Sequence, residues 1–191
     1  MNRTKKKHIV LKLADALEEK GRVLLFSETG KGVRDFVYNV LTEVNDVPTA
    51  LWGNDVDATP PESLGCDIAY YTDKLACYPY SDKVVNDTWA VLGMTKTFGN
   101  ISAMFPKDKI RRAVVDAWIE HGTGGLLTVY GNNVDDVLTD LLEDFAELGY
   151  PAGKPFATTV VKYIVKVNED GTVEDIYSLV PTLERVEIVK E

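Results

Sequence analysis

Residues 23–57 read VLLFSETGKGVRDFVYNVLTEVNDVPTALWGNDVD, and residues 101–135 read ISAMFPKDKIRRAVVDAWIEHGTGGLLTVYGNNVD. Laid over each other without a gap, at an offset of 78 positions, they agree in pattern more than in letters. Lys31 meets Lys109, Arg34 meets Arg112, Gly53-Asn54 meets Gly131-Asn132, and Val56 and Asp57 meet Val134 and Asp135. Phe36, Val37, Val40 and Leu41 fall on Val114, Val115, Trp118 and Ile119, one face of a helix in each case. Short apolar runs flank both helical segments. The reading is a duplicated β-α-β unit, with Gly53 and Gly131 at equivalent strand ends.

The rest of the chain extends this pattern. Ile9, Leu13, Ala16 and Leu17 share a face of a first helix from about Lys6 to Lys20, which Gly21 ends. Val137, Leu138, Leu141, Leu142 and Phe145 mark a helix over 134–148, with Asn132 or Asn133 as its cap and Gly149 as its stop. Residues 54–105 give no clear periodicity. At the C-terminus the pattern predicts a meander: Thr158 to Val167, a turn at EDG (169–171), Thr172 to Val180, and Val186 to Val189. The expected fold is one α/β or α+β domain over residues 8–191. It has a mixed sheet of five to seven strands, about four helices and a C-terminal antiparallel hairpin, preceded by a flexible basic arm over residues 1–7.

If the two units share a sheet, both GN-x-VD loops lie at carboxyl ends of strands, the edge where open α/β sheets take ligands. Asn54, Asp55, Asp57, Asn132, Asp135 and Asp136 are therefore the candidate ligand-binding residues. Glycine-asparagine turns with a capping aspartate also form with no ligand present. Carboxylates in that number favour a cation or a sugar hydroxyl over a bare phosphate.

The segment SETGKG (27–32) resembles the phosphate-binding P-loop motif: a strand, a glycine turn with Gly30-Lys31, then a helix. It departs from that motif at two positions. Leu25 stands where the first glycine belongs, and Gly32 replaces the Ser or Thr whose hydroxyl reaches Mg²⁺. Ordered Mg²⁺-nucleotide binding is not expected there. The two histidines, His8 and His121, make no hydrolytic triad, and no Cys/His set has zinc spacing. No catalytic residue, metal ligand or cofactor is assigned.

Two clusters read as interfaces. Lys107, Lys109, Arg111 and Arg112 crowd the first turns of a helix, where positive charge is unfavourable, and so call for carboxylates of this chain or of a partner. Tyr70, Tyr71, Tyr78 and Tyr80 lie close together around Asp73 and Lys74, and tyrosine is enriched at interfaces. The formal net charge is −9. Arg3, Lys5, Lys6 and Lys7 gather at the start, and taking these four from 21 basic residues leaves 17 against 30 acidic ones. Such a body repels phosphate backbones, which disfavours general nucleic-acid binding. No apolar run reaches the ~18 residues of a membrane span, no cleavable leader is evident, and Cys66 and Cys77 read as reduced thiols. The expectation is a cytoplasmic, non-catalytic protein that works as a homo-oligomer or with other subunits. Its build of basic arm, acidic body and closing hairpin is similar to phage neck or tail-completion subunits, which would place it in a virion. The competing expectation is a small-molecule or nucleotide-binding α/β protein, or an enzyme, using the paired loops.

Overall fold

In the computed structural model, α1 (Arg3–Glu18) leads into β1 (Arg22–Ser27), α2 (Val33–Thr42), β2 (Thr49–Gly53), β3 (Ile68–Thr72) and β4 (Ala76–Cys77). There follow β5 (Asn100–Met104), α3 (Asp108–Glu120), β6 (Gly125–Tyr130), α4 (Val134–Glu147), α5 (Lys154–Val160), β7 (Tyr163–Val167), β8 (Val173–Pro181) and β9 (Val186–Lys190). The residues described are 3–45, 47–53, 68–72, 76–77, 95–106, 108–182 and 185–191.

All the described strands join one sheet in the order β4-β3-β2-β5-β6-β1-β7-β8-β9. The run from β3 to β7 is parallel. The outer strands β4, β8 and β9 pair antiparallel. Strands buried on both faces read as unbroken apolar runs rather than alternating ones, and β1 shows this: Val23, Leu24, Leu25 and Phe26 are all buried. Leu24 and Phe26 pack into the core that holds Val114, Trp118, Leu138 and Phe145 of α3 and α4. Val23 and Leu25 enter the core that holds Leu13 and Leu17 of α1 and Phe36, Val40 and Leu41 of α2. Helices thus cover both faces. Trp118, fully buried, also donates its indole N–H to the Ile101 carbonyl at 2.9 Å, tying α3 to β5.

Both stretches of the repeat form strand-helix-strand units, but they sit differently in the sheet. The chain from β1 through α2 to β2 passes over β6 and β5, whereas β5, α3 and β6 join adjacent strands. The first crossover lies on the α1 face and the second on the opposite face. Direction and face reverse together, so the crossovers share one hand, as parallel units do. The units therefore match in outline and do not superpose as whole bodies. Apolar spacing specifies which side of a strand is covered, not how many strands the connection skips.

Three expectations are corrected. Helix α1 begins at Arg3, so the basic stretch forms its first turns instead of a separate arm. The sheet has nine described strands and there are five described helices, more than expected, because β3 and β4 arise within the unreadable segment and α5 forms where a strand was expected. The strand expected over 158–167 divides into α5 and a shorter β7. Pro155 starts α5 with its fixed φ, and the Thr158 and Thr159 hydroxyls donate to the Pro155 and Phe156 carbonyls at 2.8 Å each. Burial of Ala157 and Val160 overrides the β propensity of Thr-Thr-Val-Val. The expected C-terminal antiparallel meander is present as β7, β8 and β9, and β7 also joins β1 in parallel. No described helix is long and apolar enough to cross a membrane.

Candidate functional site

After β1 the chain leaves the sheet toward the α2 face, and after the neighbouring β6 it leaves toward the α4 face. That divergence marks the carboxyl edge at β1 and β6 as the kind of position where open α/β sheets hold ligands. Loop 28–32 walls one side of that edge. Gly30 (φ +75°) and Gly32 (φ +72°) are both left-handed, a conformation that favours glycine. The Gly32 carbonyl accepts from the Phe36 N–H at 3.1 Å and so starts α2.

The turn between β7 and β8 is pressed onto this loop. A Cβ on Gly32 would stand 2.3 Å from the Gly171 nitrogen and 2.7 Å from the Glu169 carbonyl oxygen. The turn is held by the Gly171 N–H donating to Asn168 O at 3.0 Å and the Asn168 N–H donating to Thr172 O at 2.8 Å. Ion pairs flank the contact: Lys31 to Glu169 at 3.7 Å, and Lys166 to Glu28 at 3.4 Å and to Glu174 at 3.1 Å. The hydrogen bond to Glu174, helped by Glu28, holds the Lys166 ammonium above its ordinary range against burial. A nucleotide-bound Mg²⁺ does not fit this loop. Position 32 carries no side-chain oxygen, and main chain fills the space that a hydroxyl there would need.

The other wall is aromatic. Phe105 follows β5 and Tyr130 ends β6; their rings stack with centroids 4.4 Å apart and 29° between planes. Both rings reach Gly30, where a Cβ would lie 3.0 Å from Tyr130 Cε1 and 3.3 Å from Phe105 Cζ. Sequence reading passed over this pair. Tyr130 was visible as an aromatic at a strand end before a Gly-Asn turn, but Phe105 has no local signal linking it to residue 130.

The GN-x-VD residues that are described have local roles. Gly131 admits α4, since a Cβ there would lie 2.3 Å from Val137 Cγ2. Asn133 caps α4: its Oδ1 accepts from the Asp136 N–H at 2.9 Å and its Nδ2 donates to Asp136 Oδ2 at 2.7 Å. Asp135 lies 3.6 Å from Lys154, and Asn132 is exposed. Asn54, Asp55 and Asp57 lie outside the described residues. The strands that launch the two loops, β2 and β6, are separated by β5, a spacing of roughly 10 Å. Asn133→Ala is expected to lower stability by about 1 kcal/mol, as cap removal does, which a shift in the urea midpoint will report.

Among the interface candidates, Arg111 and Arg112 turn to carboxylates of this chain. Arg111 Nη2 donates to Asp144 Oδ1 at 2.9 Å, with Nε 2.6 Å from Oδ2. Arg112 pairs with Glu147 at 3.2 Å and lies 3.8 Å from Asp144. Asp144 is only 3% exposed, and burial pushes its carboxyl above the usual range despite the two arginines. Lys109 is exposed. Tyr70 and Tyr71 lie in β3, opposite Leu51 and Trp52 of β2. Lys107, Tyr78 and Tyr80 lie outside the described residues.

The arrangement of strands has counterparts among solved structures. The VirB11 ATPase of the Brucella suis type IV secretion system, in complex with sulphate, aligns with a TM-score of 0.63 at 13% identity, over 93% of this chain and 58% of its own. The fold resembles a secretion-ATPase domain. The Legionella pneumophila ATPase DotB aligns with a TM-score of 0.59 at 12% identity, over 94% of this chain and 47% of its own. The pilus retraction motor PilT, with bound ADP, gives 0.54 at 10% identity, over 94% and 49%. The chain thus spans about half the length of the proteins it resembles. At these identities the likeness concerns fold. No family model matches the sequence, and no curated protein sequence matches it.

Proposed function

We propose that this protein binds a nucleotide-class ligand at the carboxyl edge of its sheet and does not hydrolyse it. One observation carries the reading: a Gly-Lys-Gly loop with two left-handed glycines follows the central strand β1 and opens a helix at the carboxyl edge of the sheet, where the connections after β1 and β6 part to opposite faces. Structures of similar fold are named as ATPases, and one holds ADP. Hydrolysis is argued against by the chain's own residues. Gly32 offers no metal ligand, Lys31 faces Glu169, and β5 ends in Met104-Phe105 with no carboxylate.

The reading is tested by calorimetry and thermal unfolding with ADP and ATP, in excess Mg²⁺ and in chelator. A ligand at tenfold excess over its Kd stabilises by about 1.4 kcal/mol. The same upward shift of Tm is expected with and without Mg²⁺, and no phosphate release. Mg²⁺-dependent hydrolysis abolished by Lys31→Ala would overturn the non-hydrolytic half. No shift with either nucleotide would overturn the binding half.

A second reading, association between copies or with other subunits, draws support from the sheet edge. No described strand pairs with the outer side of β9, and Val180 and Val189 are exposed there. Unpaired edges are templates for pairing with another chain. Sedimentation velocity at low salt decides it, a monomer at high concentration counting against. The similar structures named above are a type IV secretion ATPase, the ATPase DotB and a pilus retraction motor, so the virion form of this reading is not carried further.

A further inference from the structure

We propose that the stacked Phe105–Tyr130 pair is a platform on which a neutral planar heterocycle, a nucleobase or nucleoside, stacks. The proposal rests on the reading of the carboxyl edge as the ligand edge and names the part of the ligand that edge takes. Two independent observations meet at this point. Phe105 has φ +46°, and Lys20 (φ +57°) is the other non-glycine residue of positive φ among those described. Lys20 stands where a helix stops, a usual place for that conformation. Phe105 follows a strand, where no helix end accounts for it, and left-handed backbone at a bulky residue tends to mark a functional position. The conformation is held from outside, by the Phe105 N–H donating to Thr128 Oγ1 at 2.7 Å.

The second observation is exposure. Tyr130 is 60% exposed, the most open large apolar side chain among the described residues. Yet it is not loose: one side rests on Phe105 and an edge on Gly30. A ring fixed from behind and open in front offers a π-face without an ordering cost at binding.

Charge selects the ligand. Glu28 and Glu169 are 57% and 58% exposed beside the loop, and Lys31 and Lys166 are paired with them. A nucleotide's phosphates must compete with Glu28 and Glu169 for Lys166 and Lys31, whereas its uncharged ring gains contact here without displacing either ion pair. The net charge of −9 disfavours a nucleic-acid polymer on the same ground.

The test uses the full chain with adenosine, guanosine and inorganic tripolyphosphate as separate probes, read by calorimetry and by the NMR shifts of the Tyr130 ring. Nucleosides are expected to bind and to move the Tyr130 signals. Tyr130→Ala is expected to weaken nucleoside binding roughly 5- to 150-fold, the loss of one base–aromatic stack. Tyr130→Phe is expected to retain both binding and unfolding midpoint, while Tyr130→Ala also loses the stack on Phe105 and with it some stability, so its binding is compared at a temperature where both variants are folded. Nucleosides that bind the parent and Tyr130→Ala alike overturn the platform and leave the carboxyl-edge reading standing. Binding of tripolyphosphate but not nucleosides does the same. If none of these probes, nor ATP or ADP, binds the parent chain, both fall together.

Discussion

Gly32→Ser, the substitution that supplies the hydroxyl a phosphate-binding loop uses for Mg²⁺, is expected to destabilise the protein by about 2–6 kcal/mol instead of creating a metal site. Two costs add. The left-handed backbone at φ +72° strains any L side chain, by about 1–3 kcal/mol. The new Cβ also meets main-chain atoms of Gly171 and Glu169 at 2.3 and 2.7 Å, and overpacking costs about 1–3 kcal/mol more. The contact is with backbone, so no rotamer change relieves it, and the β7–β8 turn must move. Gly122→Ser isolates the first cost, since Gly122 has φ +64° and nothing within 4 Å of its added Cβ. Urea titrations of the two variants separate strain from clash. Equal losses in both would show that the turn yields freely and that the 28–32 loop is not closed by it.

Arg111→Ala is expected to cost about 1.5–3 kcal/mol, the worth of hydrogen bonds to a charged group, because Arg112, 3.8 Å from Asp144, still offsets part of the charge left behind. The charge left is Asp144, buried on α4 and facing β1 and β6 near Leu24, Leu127 and Val129. Arg111→Glu is worse, because it brings a carboxylate toward that one. These variants therefore test the fold first, since any change in assembly would be confounded with the lost stability. The pH dependence has a defined sign. With Arg111 gone, the folded-state pKa of Asp144, already raised by burial, rises further above the unfolded value of about 3.9. A raised carboxyl loses stability as pH rises, so the deficit is smallest near pH 4 and grows toward neutrality. Arg111→Met with Asp144→Leu is expected to recover most of the loss, since apolar replacement of a buried pair is often neutral or better. A deficit that is flat from pH 4 to 8 would mean that Asp144 is not the charge at stake.

Legibility followed locality. The stripes Val33–Leu41 and Val137–Phe145 are buried as helical spacing required, and Asn133 caps α4 as an asparagine before a helix does. The glycine turn 28–32 and its missing hydroxyl were also plain, because a P-loop is a contiguous pattern. Thr158-Thr159-Val160-Val161 misled because β-branched residues favour strands, and a proline and two buried contacts outweighed that preference. Arg111 and Arg112 were flagged as cations needing carboxylates; that Asp144 and Glu147 supply them depends on two helices packing side by side.

The sequence by itself determined the alternation of strands and helices, the apolar faces of the helices, and the absence of a side-chain oxygen at position 32. Those are properties of short segments, set by side-chain period, turn chemistry and residue identity. Tertiary structure alone decided that β1 lies beside β6 and β7 and not beside β2. It also set Phe105 against Tyr130 over Gly30, and the turn at Gly171 against Gly32. These contacts join residues far apart in the chain. Their partners are chosen by how helices fill both faces of the sheet, a choice that no local period encodes.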